Sequence, residues 1–443
     1  MKKILIFGAG RSSSSLIKYL LNLVESENWF LTVLDSDLKT AQSKVGNHPN
    51  SACFAIDASD RDVRMKFIKD ADIVISMLPA FLHIKILRDA IDCGVHVITP
   101  SYITDEIKSL DQEAKSKGVI ILNEMGLDPG IDHMSAKKLI DDIKIRGGEL
   151  TGFESFTGGL VAPESDNNPW NYKFTWNPRN VVLAGQGGAA KFIQESKYKY
   201  IPYNKLFRRT ELIEIEGYGK FEGYANRDSL KYRSVYDLEN IPTMFRGTLR
   251  KIGFCRAWNV FVQLGLTDDS YVIEGSEEMT NREFINSFLG YNQSDSVELK
   301  FRHYLGIEQD DYIWEKFVWL GIFEDKKIGI KNATPAQMLQ KILEDKWSLK
   351  SDDKDMIVMW HKFNFTLKGK SHEIRSHMVY IGQDDQYTAM SDTVGIPVGI
   401  AAKMILNKQL NRRGVLLPIH DEIYTPILNE LEQYGITFTE KEI

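Results

Sequence analysis

The sequence predicts an α/β chain: a doubly wound parallel sheet, then a mixed α/β domain carrying a helical insertion. Three observations carry this. Apolar runs of strand length alternate with helical-period segments through the first 125 residues, and continuous apolar strands between helices belong to a parallel sheet covered on both faces. A glycine-rich turn follows the first run. Beyond Gly130 the strands lengthen and alternate in polarity, as half-covered, mainly antiparallel strands do.

Strands are expected at Lys3–Phe7, Phe30–Leu34, Ala52–Ile56, Ile73–Ser76, His96–Thr99 and Val119–Leu122. Helical periods fall between them at Ser14–Val24, Asp60–Lys69, Leu82–Asp92 and Ile107–Lys115. This βαβ order makes a doubly wound fold. Asp132–Ile145 reads as one more helix, and Leu150–Phe156, Glu211–Gly217 and Thr243–Thr248 as strands of the second sheet. Leu266 to Asp352 is mostly helical, anchored by Arg282–Leu289, Tyr312–Leu320 and Pro335–Leu343. Strands return at Met356–Leu367 and His372–Tyr380. The helix Met390–Leu406, the strand Val415–Pro418 and the helix Asp421–Tyr434 close the chain.

A length of 443 residues implies two or three domains. Lys plus Arg number 55 against 61 Asp plus Glu, a net charge of −6. A protein built to grip phosphate backbones carries a basic excess, so no nucleic-acid partner is expected. A small anionic substrate stays possible, because a local arginine pair outweighs a mild global field. Three cysteines, Cys53, Cys93 and Cys255, stand far apart without a CxxC or Cys/His cluster. Neither a disulfide framework nor a zinc site follows, and a cytoplasmic location is expected. The apolar start after Met1-Lys2-Lys3 reads as a strand rather than a signal peptide. No run of 18 apolar residues occurs, so no membrane span is expected.

Gly8-Ala9-Gly10-Arg11-Ser12-Ser13 follows the first strand. Gly8 and Gly10 permit a tight turn and bring bare backbone to a pyrophosphate, which the next helix N-terminus favours. Ser13 stands where the fingerprint has its third glycine. Asp35 ends the second strand, where a carboxylate accepts ribose hydroxyls of NAD and repels a 2′-phosphate. Capping the next helix is its alternative role, though Asp37 is also placed to do that. Asp57, at the third strand end, is a candidate for adenine or, again, for a cap. Gly369-Lys370-Ser371 lacks the upstream glycine of a phosphate loop, and the nine histidines show no metal-ligand spacing. Asn226-Arg227-Asp228-Ser229 and Arg246-Gly247-Thr248-Leu249-Arg250 place arginines near strand ends. Singly these are ordinary surface ion pairs; two in one cleft recognise a multiply carboxylated ligand.

Gly126-Leu127-Asp128-Pro129-Gly130-Ile131-Asp132-His133 resembles the loop of saccharopine reductases, the L-glutamate-forming saccharopine dehydrogenases. Ser101-Tyr102, Gly158-Gly159-Leu160, Asn168-Pro169 and Tyr172 to Trp176 are similar to the same family. So are both arginine segments, Gly414-Val415-Leu416 and Glu422-Ile423-Tyr424. The resemblance implies a Rossmann domain, 1–130, completed by 390–443. It implies a mixed α/β substrate-binding and dimerisation domain, 131–265 with 353–389, and a helical domain, 266–352. A homodimer is expected.

The resemblance further implies cofactor contacts at Gly8, Gly10, Arg11, Ser12, Ser13, Asp35, Asp57, Met77, Thr99, Gly126, Leu127, Asp128 and Trp176. It implies substrate contacts at Ser101, Tyr102, Asp128, Arg227, Thr248, Leu249 and Arg250. Asp128 and Tyr102 are the catalytic candidates: Asp128 favours developing iminium charge and Tyr102 moves a proton. No metal is implied. The cofactor is NAD or NADP. NADP is common in the family, but Asp35-Ser36-Asp37 replaces its arginine-containing turn and favours NAD. Pro100 replaces a more usual threonine. The expected reaction is reversible oxidation of saccharopine to L-glutamate and L-2-aminoadipate 6-semialdehyde. The alternatives are a carboxynorspermidine dehydrogenase-like Schiff-base reductase, a lysine 6-dehydrogenase, or a non-catalytic NAD(P)-binding regulator.

Overall fold

The computed structural model describes residues 1–443. The expected apolar runs form β1 (Lys2–Phe7), β2 (Trp29–Asp35), β3 (Ser51–Ala55), β4 (Ile73–Ser76), β5 (His96–Ile98) and β6 (Ile120–Leu122). The second-sheet strands are β7 (Glu149–Val161), β8 (Ala190–Gln194), β9 (Lys197–Ile201), β10 (Thr210–Ile215), β11 (Gly219–Ala225), β12 (Thr243–Lys251), β13 (Asp355–Leu367) and β14 (Lys370–Ile381). Two short strands follow, β15 (Gly414–Leu416) and β16 (Thr439–Glu442).

The first sheet has the order β15-β6-β5-β4-β1-β2-β3. All six strand pairings in it are parallel. Its central strands are buried on both faces, as their unbroken apolar runs require, while edge strand β3 is half-buried to exposed; Ile4, Leu5, Ile6 and Phe7 are all within 2% exposure. The order reverses between β1 and β4, the crevice where doubly wound sheets bind ligands. Helices α1 (Ser14–Leu21), α2 (Leu38–Val45), α3 (Arg61–Ile68) and α4 (Ala80–Cys93) connect its strands. Asp37 caps α2 by accepting from Lys39 N, and Asp60 caps α3. The expected helix Ile107–Lys115 is broken in two, Asp105–Lys108 and Asp111–Ser116.

The helix Ala389–Leu406 is apolar and long enough, by composition, to cross a membrane, and 89% of it is buried inside the fold. It lies on α1. Ser15 Oγ donates to Asp392 and lies 2.9 Å from Ser391 Oγ, and Tyr380 Oη donates to the other Asp392 oxygen at 2.8 Å. Burial raises the Asp392 pKa despite these donors.

The second sheet has the order β10-β11-β12-β7-β13-β14-β16, with β8 on β12 and β9 on β8. It is mixed: β7 and β12 are parallel, while the pairs β10–β11, β11–β12, β12–β8 and β8–β9 are antiparallel, as mainly expected.

By packing, the chain divides into two compact units, not three. The first holds Met1–Leu150, Phe365–His372 and Met378–Ile443; the second holds Thr151–Asn364 and Glu373–His377. Two expected boundaries therefore move. The helix Ile131–Ile145, expected in the second domain, belongs to the first unit, where Tyr424 Oη donates to its Asp141 at 2.8 Å. The helical stretch 266–352 is no separate unit, because its aromatic residues complete a shared core. Trp170 meets Phe261, Phe317 and Trp347 at centroid distances of 5.7, 5.7 and 5.2 Å.

A Cβ on Gly395 would stand 2.7 Å from Leu16 N, a backbone atom that cannot swing aside. Gly395→Val should therefore destabilise the protein by roughly 2–3 kcal/mol, measured by urea unfolding.

Candidate active site

The Gly-rich turn leaves β1 at the sheet's switch point. Gly8 has φ +98°, and a Cβ there would meet Met77 O at 3.0 Å, so glycine is required where the β1 and β4 ends approach. A Cβ on Gly10 would meet nothing within 4 Å. Gly10 therefore presents bare backbone to open ground, the cradle a dinucleotide phosphate needs. Ser13 is buried and donates its hydroxyl to Gly10 O at 2.8 Å, replacing the third glycine with a turn lock. Arg11 is exposed and Ser12 half-buried.

Asp35 sits at the β2 end as expected. Its Oδ2 accepts from Ala9 N at 2.6 Å and its Oδ1 from Asp37 N at 2.9 Å. The carboxylate thus fixes the turn itself. Asp57 is exposed and accepts from Ser59 N at 2.8 Å; that bond lowers its pKa. It shapes a local turn within the chain.

Beyond β5 and β6, two loops are zipped together. Met125 N donates to Thr99 O and Glu124 N to Ser101 O. A Cβ on Gly126 would stand 2.9 Å from Pro100 Cβ, so only glycine fits beside Pro100 here. Tyr102 Oη donates to Asp128 Oδ1 at 2.9 Å, which unites the two catalytic candidates. Their backbone is held from beneath by acids of the same loop and by His133, which serves as the structural hydrogen-bonder expected at a helix start rather than as a catalyst. Glu124 Oε1 accepts from Ile103 N at 2.9 Å, while its Oε2 lies 2.7 Å from His133 Nε2. Asp132 accepts from Gly130 N at 2.6 Å.

The sequence reading missed His83. From the first turn of α4 it reaches Ser101 Oγ at 2.6 Å through Nε2 and Ser76 Oγ at 2.8 Å through Nδ1. Buried Thr99 lies beside the same ring. Burial brings His83 down to about 4, so near neutral pH it is an uncharged clamp on Ser101. Asn123, at the β6 end, is buried with neither amide atom hydrogen-bonded. A lone buried histidine and an asparagine carry no sequence signal, since only the fold sets their partners.

The remaining candidates lie in the second unit. Thr248 and Arg250 share one face of β12, and register adds Tyr224 and Thr157, both paired with Thr248. Arg250 is buried, with its guanidinium 5.1 Å from the Tyr172 ring, 5.8 Å from Tyr224 and 5.3 Å from Phe254. Its Nη1 donates to Leu249 O at 2.8 Å, but its Nε has no partner. Glu222, the cross-strand neighbour, gives its oxygens to Gly253 N and Cys255 N. Arg250 is therefore a buried cation without an acid. Thr157 Oγ1 and Tyr172 Oη are buried and orphaned as well. Trp176 lies beside Tyr172.

Two candidates stand apart from this cluster. The Leu249 side chain faces the opposite side of β12 from Thr248 and Arg250, so only its backbone can join them. Arg227 is exposed, with φ 28°, beyond the β11 end. The register sets it about 16 Å along the sheet from Arg250.

Fold and site define a dinucleotide-binding framework of the oxidoreductase type, with a second unit that holds a buried arginine. Residues 4–122 match the saccharopine dehydrogenase NADP binding domain, and residues 126–436 the saccharopine dehydrogenase C-terminal domain. The chain belongs to the saccharopine dehydrogenase family. It is 32% identical to the NADP(+), L-glutamate-forming saccharopine dehydrogenase of Saccharomyces cerevisiae, over 100% of this chain and 99% of that protein. The Schizosaccharomyces pombe enzyme of the same name is 31% identical at the same coverage. Alpha-aminoadipic semialdehyde synthase of Arabidopsis thaliana is 30% identical, over 99% of this chain and 44% of that longer protein. The solved apo saccharopine dehydrogenase (L-Glu forming) of Saccharomyces cerevisiae superposes with a TM-score of 0.90, 31% identity and full coverage of both chains.

The pKa of His83 produces a testable slope. Its folded value near 4 lies below its ordinary 6.5, so the unfolded chain takes the proton first. Stability from this group is complete above about 6.5 and falls as pH drops toward 4, by about 3 kcal/mol in all. Urea midpoints of His83→Asn should show a shallower decline over that window than those of the unaltered protein.

Proposed function

We propose that this chain is an L-glutamate-forming saccharopine dehydrogenase, an oxidoreductase of lysine metabolism that uses NADP. In the oxidative direction a hydride and the amine proton leave saccharopine, and water cleaves the resulting imine to L-glutamate and L-2-aminoadipate 6-semialdehyde. The dinucleotide supplies the hydride acceptor when bound. Gly8, Gly10 and Ser13 would hold its phosphates, and the open approach to Gly10 fits that group.

Buried, acid-free Arg250 carries the substrate reading. A guanidinium removed from water is costly without an anion, and ring faces offset only part of that cost. Burial raises the pKa of Tyr172 and Tyr224, which keeps both phenols protonated near neutral pH. They can therefore donate to a carboxylate. Saccharopine has three carboxylates, whereas a simple polyamine imine offers fewer. Arg227, exposed, would meet a second carboxylate. Asp128 would favour positive charge growing on the substrate nitrogen, and Tyr102, already donating to Asp128, would carry the proton.

The direct test follows reduced-nicotinamide absorbance with purified protein, L-saccharopine and NADP, with glutamate assayed in parallel. Formation of both products is expected. No turnover while NADP binds would reject the substrate assignment. Arg250→Ala should raise KM for saccharopine about 100-fold, the worth of one charge-assisted contact, with dinucleotide affinity unchanged in a binding titration. Tyr102→Phe should lower kcat roughly 10- to 100-fold with little change in KM, measured by steady-state kinetics across pH.

A further inference from the structure

An acid at the end of β2 normally selects NAD, because it accepts ribose hydroxyls and repels a 2′-phosphate. Here the matched domain is an NADP binding domain, yet Asp35 occupies that position. The side chains around the turn resolve the conflict. Both Asp35 oxygens already accept backbone N–H groups, from Ala9 at 2.6 Å and from Asp37 at 2.9 Å. The acid is thereby fixed in the turn, and each oxygen keeps a second lone pair, so its charge still faces whatever the turn binds.

A cation stands beside it. Lys44, near the end of α2, sends its side chain back to the Gly-rich turn, where its ammonium donates to Gly10 O. The same nitrogen lies 3.3 Å from Ser13 Oγ. Lys44 makes no ion pair, and Asp35 is the only charged group acting on it. Burial lowers its pKa to about 8, with Asp35 opposing the shift. A half-buried ammonium hydrogen-bonded mainly to a carbonyl keeps donor capacity for a stronger acceptor. Ala9, held by Asp35, and Gly10, held by Lys44, are consecutive residues, so the ammonium stands one residue along the turn from the acid.

We propose that Lys44 admits the ribose 2′-phosphate of NADP to this acid-ended turn, acting as the residue that sets dinucleotide choice. Its ammonium offsets the charge of Asp35 and supplies a charge-assisted hydrogen bond to the phosphate. The inference rests on the dinucleotide reading of the Gly-rich turn, and binding alone tests it.

NADPH and NADH would be titrated by nicotinamide fluorescence into the full chain, into Lys44→Gln and into Lys44→Arg, with thermal melts to confirm folding. Lys44→Gln is expected to weaken NADPH about 30-fold and to change NADH less than twofold. Lys44→Arg, which keeps the charge, is expected to stay within about fivefold of the unaltered protein for NADPH. Equal weakening of both dinucleotides would overturn the proposal, placing Lys44 on the shared pyrophosphate. Unchanged NADPH affinity in Lys44→Gln would overturn it too. An unaltered protein that binds neither dinucleotide would overturn the proposal together with the cofactor reading.

Discussion

In a parallel sheet every strand points the same way, so all carboxyl ends open along one edge. When the order also reverses, as it does between β1 and β4, the connecting segments diverge there and leave a crevice. Everything in the first unit's candidate site follows from that constraint. Gly8 is a glycine because the Met77 backbone crowds it at the reversal. Ser101, Tyr102 and Asp128 belong to the loops that leave β5 and β6 at the same edge. Even β15, contributed from far along the sequence, extends this sheet rather than founding another.

The edge alone would hold loops only loosely. Beneath them lies a layer of buried polar residues: His83 against Ser76 and Ser101, and Glu124 between Ile103 and His133. Each removes a backbone or hydroxyl group from competition with solvent and fixes a loop that a substrate would touch. Such networks repay burial only when their members find partners. These four contacts lie at 2.6–2.9 Å.

The sequence made some of this legible because its signals are local. Unbroken apolar runs identify strands buried on two faces, and Gly8 and Gly10 directly after such a run mark the turn. The family motifs around Asp128 and Arg250 pointed to the same loops. Other features are settled only by register and packing. Tyr172 and Tyr224 flank Arg250 across a wide sequence gap, and neither is distinctive alone. The helix Phe254–Leu264 escaped notice because its aromatic and β-branched residues suit a strand as well as a buried helix. Domain grouping is hidden for a related reason: periodicity shows where helices are, while Trp170 decides which core they share. Lys44 is an ordinary helix lysine until the turn above it is built.

Arg250 and Lys173 show how the second unit handles buried cations. Lys173 is as buried as Arg250 and pairs with Asp353 at 2.6 Å, so the fold does neutralise an interior cation within the chain. Arg250 has an acid directly across the strand, yet the next turn takes Glu222: its oxygens accept the Gly253 and Cys255 amides where the helix Phe254–Leu264 begins. The same carboxylate cannot also serve Arg250. A helix start is thus secured by an acid that a neighbouring arginine forgoes. That arginine is left ringed by aromatic faces with an unfilled donor. The charge is held rigid and dry before any ligand arrives, and this preorganisation makes a carboxylate contact strong. On the proposed reading, the strand register itself leaves this arginine ready for an anionic substrate.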